Sequence, residues 1–149
     1  MKKNSFTTNI RIHNGANEAI QKITNIPGWW GISFEGNADK ENAKFSIKMG
    51  GDSFFHLNVE KLLPGKKIVW TVLDCNMPWY SDKHEWTNTK LIFELAEKDG
   101  LTDIIFTHEG LTPEIECYKD CASGWTHWIQ TSLFSYLTNG TGVFRPATK

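Results

Sequence analysis

Hydrophobic positions recur in two periods along this chain, two and about 3.6, and the switches between them mark its elements. Phe6, Thr8, Ile10 and Ile12 alternate with Thr7, Asn9 and Arg11, which predicts a strand. Asn14-Gly15 breaks it. Ala16, Ile20 and Ile23 then recur at helical spacing, giving a short helix that must end before Pro27. Residues 27–31 form a bend carrying Trp29 and Trp30. From Phe34 the period returns to two. Phe45, Ile47 and Met49 precede a turn at Gly50-Gly51-Asp52, and Phe55, Leu57 and Val59 precede Pro64-Gly65, which suits a type II turn. In the next strand Ile68, Trp70 and Val72 oppose Val69, Thr71 and Leu73; both faces are largely apolar, and the Trp70 face is taken as inward. Leu91, Phe93 and Leu95 lead to Asp99-Gly100, a strong hairpin signal, and Ile104, Phe106 and His108 follow. Residues 112–140 read as one long helix, started by Thr112-Pro113 and stopped by Asn139-Gly140. Its inward stripe is Tyr118, Cys121, Trp125, Trp128, Ile129, Ser132 and Tyr136. Residues 74–88 have no period but hold Met77, Trp79, Tyr80, His84 and Trp86, and so aromatic a loop reads as a flap over an opening.

These pieces predict an architecture. Six or seven strands at ~4.8 Å spacing make a sheet roughly 25–30 Å wide, whereas a helix with its side chains is only ~10–12 Å across. A flat sheet would stay half bare, so its natural twist must curl it around the helix. The predicted fold is α+β: a curved antiparallel sheet of about six to seven strands wrapped around a long C-terminal helix, with the short N-terminal helix closing the gap. No linker or repeat interrupts it, so residues 1–149 form one domain with a core of about 6–138. A curled sheet tends to leave a pocket beside the helix; the alternative is dimerisation through the uncovered sheet face. Ser132, in the middle of the inward stripe, marks either space left open or a bond back to the Trp128 carbonyl.

Composition narrows the function. The 149 residues carry a formal charge of −1 with both signs interspersed, which gives no footprint for nucleic acid. No apolar run approaches the ~20 residues that span a bilayer, and Lys2-Lys3 followed by Asn4-Ser5 does not read as a secretory leader. Three cysteines are too few for a secreted scaffold, so a cytoplasmic setting is expected. Seven Trp and nine Phe supply a heavy aromatic load for a core or for pocket walls.

The order of elements, together with Leu63-Pro64-Gly65-Lys66, Val69-Trp70, Thr107-His108-Glu109-Gly110-Leu111 and Trp125, resembles the START-like (helix-grip, SRPBCC) superfamily, in the branch named for activators of the heat-shock chaperone ATPase. The resemblance spans about residues 6–137. It implies a hydrophobic-ligand cavity between sheet and helix. The chaperone-stimulating activity of that branch depends largely on a separate N-terminal domain, for which these residues leave no room, so no chaperone partner is expected.

His108 is the best candidate for a polar pocket group, since it continues the inward register of Ile104 and Phe106; the competing reading is a hydrogen-bonded structural histidine. Cys117 and Cys121 lie one helical turn apart, but His127 falls on the opposite face and no further ligands converge. Neither a metal nor a cofactor is expected. No nucleophile elbow, phosphate loop, dinucleotide fingerprint or zinc-protease string is present. The favoured reading is a non-enzymatic carrier or sensor of a small hydrophobic or aromatic molecule, its site formed by Trp30, Phe45, Phe55, Trp70, Phe93, Phe106, His108, Trp125 and Ser132. The alternatives are a cyclase- or hydrolase-type enzyme using His108 as acid or base, and a partner-interaction module.

Overall fold

The computed structural model describes residues 4–31 and 33–144. Its strands are β1 (Phe6–Ile12), β2 (Ser33–Gly36), β3 (Lys44–Lys48), β4 (Phe54–Leu63), β5 (Lys67–Asn76), β6 (Lys90–Lys98) and β7 (Leu101–Glu109). They form a seven-stranded sheet in the order β1-β7-β6-β5-β4-β3-β2. Every neighbouring pair is antiparallel. The turns follow from their residues. Asp99 and Gly100 both have positive φ, 55° and 81°, as a two-residue hairpin requires. That turn sets Phe93 opposite Phe106. Register shifts in β4 at His56/Leu57 and Val59/Lys61 interrupt its pairing with β5, and such bulges bend and twist a strand. The curl therefore has a local cause at the centre of the sheet.

The concave face carries the expected positions: Leu57, Val59, Ile68, Trp70, Val72, Leu91, Phe93, Ile104 and Phe106 are all fully buried. The inward choice of Trp70 in β5 is thus the observed one. Helix α1 (Ala16–Thr24) buries Ala16, Ala19, Ile20 and Ile23, and a 3₁₀ turn, Ile26–Gly28, follows.

The terminal helix departs from expectation in two ways. It begins at Tyr118 rather than near Thr112, because residues 112–117 form successive tight turns, Ile115 N–H to Thr112 O and Tyr118 N–H to Ile115 O. It is also not uniformly α: α2 (Tyr118–Thr126) passes into a π-helical stretch, His127–Leu133, and then into α3 (Phe134–Asn139). Wider π turns, closed by i→i+5 bonds, shift the inward face. Leu133 and Leu137 accordingly become buried with Trp125, Trp128, Ile129 and Ser132, while Tyr118, Cys121 and Tyr136 are only partly covered. Gly140 ends the helix with φ 84°.

Two contacts clamp the helix in the grip. Gln130 Nε2 donates to Thr8 Oγ1 at 2.7 Å and to Asn9 O at 2.9 Å, occupying acceptors on edge strand β1. Tyr136 receives a bond from Asn25 Nδ2 at 2.7 Å, and its ring lies so close over Gly28 that a Cβ there would fall within it. Glycine is required at that crossing.

Candidate functional site: an aromatic core beneath a latched flap

The structure brings the predicted site residues together, all but Ser132, in one network of rings between sheet and helix. Trp30 lies parallel to Trp70 (6.3 Å between centroids, 3°) and against Trp125 (5.1 Å). Trp70 meets Phe45 and Phe93 edge-on at 5.2 and 5.1 Å. Phe93 touches Phe106 at 5.0 Å, and Phe106 touches Trp125 at 4.5 Å. Phe55 and His108 join through Trp86, at 4.5 and 4.7 Å. Trp86 itself stacks on Trp125 at 5.6 Å and 14°. Four indoles, Trp70, Trp30, Trp125 and Trp86, thus run in continuous contact, two stacked pairs joined where Trp30 meets Trp125 at a 42° tilt. Offset and edge-on arrangements of this kind favour aromatic pairs beyond their burial.

His108, fully buried in β7, organises the polar part of this core. Trp125 Nε1–H donates to its Nδ1 at 3.0 Å, which leaves the ring proton on Nε2. Nε2 lies 2.8 Å from Thr89 Oγ1, and Thr89 Oγ1 in turn donates to Trp86 O at 2.6 Å. The chain of donors and acceptors is consistent only with neutral imidazole. Burial pushes His108 down to about 3, so at neutral pH it has no spare proton and both nitrogens are engaged.

Ser132 stands apart. Its hydroxyl donates to Trp29 O at 2.6 Å and accepts from Val143 N–H at 3.0 Å. It neither faces open space nor bonds back to Trp128; it ties the terminal helix to the Trp29 bend and to the segment after the helix. Trp29 Nε1–H donates to Ile23 O at 3.0 Å, so Trp29 fixes the bend to α1 while its neighbour Trp30 enters the stack.

Residues 77–89 close one end of the stack as a flap, with Met77 and Trp86 turned into the core. The flap and the start of the terminal helix hold each other by exchanged carboxylate–amide bonds. Glu85 accepts from Glu116 N–H (2.7 Å) and Cys117 N–H (3.0 Å). Glu116 accepts from Ser81 N–H (3.0 Å) and Asp82 N–H (3.1 Å). Tyr80 OH donates to Asp120 at 3.0 Å. Glu85 thereby satisfies amides that the helix start leaves free, where a negative charge is favoured. Beneath the latch, a hydrogen bond that the Cys117 thiol donates to Cys121, together with burial, raises Cys117, and burial raises the Tyr80 hydroxyl. Both stay protonated at neutral pH. Among the described residues no group of three or more His, Cys, Asp or Glu is gathered to hold a metal ion.

The sequence reading missed Trp86, Thr89, Glu85 and Glu116. Trp86 sits in the aperiodic flap, and only its aromatic character signalled a buried role.

The sequence profile described as Activator of Hsp90 ATPase homolog 1-like protein matches residues 18–138. The chain belongs to this family. Members and neighbours of known structure share the architecture. The chain aligns with the Aha1 dimer from Colwellia psychrerythraea at 23% identity and TM-score 0.75, over 93% of this chain and 98% of that one. It aligns with SSP2350 from Staphylococcus saprophyticus at 14% identity and TM-score 0.69, over 95% and 96%. DynU16, from the dynemicin biosynthetic locus, gives 15% identity and TM-score 0.69 over 95% of this chain but 49% of its own. At these identities the likeness is one of fold. No curated relative matches the chain by sequence. No described helix is long and apolar enough to cross a membrane.

Proposed function

We propose that this chain binds a small apolar or aromatic molecule between the curved sheet and the terminal helix, admitted beneath the flap. The observation that carries the proposal is the position of Trp86. It is the member of the indole stack carried by the flap, parallel to Trp125, and its N–H has no nitrogen or oxygen acceptor. It faces the sulfur of Cys117, a weak partner. Trp86 acts as a resident plug. Lifting the flap breaks the Glu85 and Glu116 bonds, which lie at the exposed surface where water replaces them at small cost. The Trp125 face is then bared, and a planar guest stacks in place of the indole. The walls are Trp30, Phe45, Phe55, Trp70, Phe93, Phe106 and Trp125, with His108 orienting Trp125 and Ser132 holding the helix. Apolar walls with a few fixed polar groups are the usual make-up of small-molecule sites. His108, neutral and fully engaged, is not assigned an acid–base role.

The test uses N-phenyl-1-naphthylamine, whose fluorescence rises in apolar surroundings. Trp86→Ala is expected to bind it at least about fivefold more tightly than the wild-type chain, because the plug is gone. Glu85→Ala is expected to speed its association without changing the saturated signal. Absence of saturable binding to Trp86→Ala would overturn the proposal. A homodimer is proposed on the precedent of the Colwellia psychrerythraea protein, itself a dimer, and sedimentation velocity checks it.

A further inference from the structure

Two thiols of this chain touch without being joined. Cys117 caps the start of α2, and the Cys121 N–H donates to its carbonyl at 2.7 Å. One helical turn therefore separates their Cα atoms, about 6 Å, within the roughly 4.4–6.8 Å usual for disulfides. Both cysteines are free, and the Cys117 thiol donates a hydrogen bond to the Cys121 sulfur. Cys117 is fully buried, whereas Cys121 is partly exposed. On a regular helix, residues four apart hold their Cβ atoms about 5–6 Å apart, too far for the roughly 3.5–4.5 Å that a disulfide needs. Cys117 precedes the regular helix, with φ −82° and ψ 0°, so rotation of its own backbone closes the difference. That backbone also carries the latch. Glu85 binds the N–H groups of Glu116 and Cys117, and the Cys117 sulfur faces the Trp86 indole.

We infer that Cys117 and Cys121 form a reversible disulfide that releases the flap, with a low-molecular-weight disulfide such as oxidised glutathione as the oxidant. Cys121, on the accessible side, loses its proton to solvent, attacks one sulfur of the oxidant and expels one glutathione thiolate. The Cys117 sulfur then attacks the Cys121 sulfur. The new protein disulfide replaces the mixed one, and the Cys117 proton passes to the departing second thiolate. Two protein thiols are oxidised and one glutathione disulfide is reduced to two thiols, so atoms and electrons balance. The bond draws Cys117 toward Cys121, taking its amide from Glu85 and its sulfur from Trp86. Closed latch and disulfide thus compete, which strains the bond and keeps it reducible. The inference goes beyond the binding reading and stands without a guest.

In the experiment the full chain is exposed to oxidised glutathione at about pH 8.5, where an ordinary thiol is half ionised. Trypsin then cuts after Lys119, between the two cysteines. The expected result is an intact mass lighter by two hydrogens and two peptides joined through Cys117 and Cys121, both reversed by dithiothreitol. Hydrogen exchange at the Ser81, Asp82 and Cys117 amides is expected to quicken about tenfold in the oxidised form and to recover on reduction. Cys117→Ser is expected to stop at a glutathione adduct on Cys121. The wild-type chain decides the matter whether or not that variant folds. A wild-type chain that stays reduced, keeps a glutathione adduct on Cys121 or pairs through Cys75 would overturn the inference. So would a Cys117–Cys121 bond that leaves the three amides exchanging at their original rates. No guest is present, so each of these failures leaves the binding reading standing.

Discussion

Two indoles of the stack solve the same problem in opposite ways. Trp125, inside the stack, is held by His108, Thr89 and the Trp86 carbonyl, a chain in which every donor has its acceptor. Trp70, at one end, is enclosed by rings and its Nε1 has no nitrogen or oxygen partner, as is true of Trp86 at the other end. Both Trp125 and Trp70 are buried and aromatic, so hydrophobicity does not separate them. Hydrogen-bond accounting does. Trp125 fixes the terminal helix to β7 through a satisfied polar chain, whereas Trp70 is held by ring packing alone.

The sharpest way to break this comparison is to remove one group at each of the two indoles. His108→Ala leaves the Trp125 N–H unpaired and opens a void, and is expected to cost about 3 kcal/mol in urea denaturation. Trp70→Phe removes an already unpaired donor and is expected to cost less than about 1.5 kcal/mol, since its smaller ring loses packing but no hydrogen bond. Equal losses would erase the distinction between the two indoles.

A second substitution tests the boundary of the site. Ser132→Phe is expected to lose about 2 kcal/mol in the same assay. The ring cannot replace the hydroxyl bonded to Trp29 O and Val143 N–H, and there is no slack around it, because the hydroxyl lies 3.0 Å from where a side chain on Gly142 would begin. An unchanged urea stability would show open space at this position, one of the two readings the sequence allowed.

The smallest effect is a pH dependence. Folded His108 is held at about 3, against an ordinary 6.5. Between those values the unfolded chain takes up a proton that the folded chain refuses, so stability rises with pH across this window. The contribution is whole above about 6.5 and fades on acidification, by about 1.5 kcal/mol between pH 6.5 and 5. His108→Gln is expected to flatten that part of the profile. Thermal melts of both proteins across the window provide the check, and a parallel decline in the two would assign it to other groups.

Much of the fold was legible because strand faces and turns are local. Alternation exposed the inward residues of β3 to β7, and Asp99-Gly100 and Pro64-Gly65 prescribed their turns through backbone conformation alone. The site was less legible, for reasons that are not local. The latch joins Glu85 to the amides of Glu116 and Cys117 and Glu116 to those of Ser81 and Asp82, across a gap that no periodicity spans. The π-helical stretch shifts the inward face by an amount that a 3.6-residue wheel does not anticipate, which is why Leu133 and Leu137 replaced Tyr136 as buried anchors. Trp70 was legible as an inward aromatic, but its missing acceptor is a property of its neighbours. His108 was found by register, while its commitment to Trp125 and Thr89 required the fold.

The central claim is that a guest enters the ring network beneath the flap, and the most direct measurement is a ¹H–¹⁵N spectrum of the tryptophan indoles during titration with N-phenyl-1-naphthylamine. The account predicts that the Trp86, Trp30 and Trp70 indole signals shift and saturate together, while Trp29, anchored to Ile23 O, moves least. Shifts confined to backbone amides of the outer sheet face, with all buried indoles unmoved at probe saturation, would contradict it.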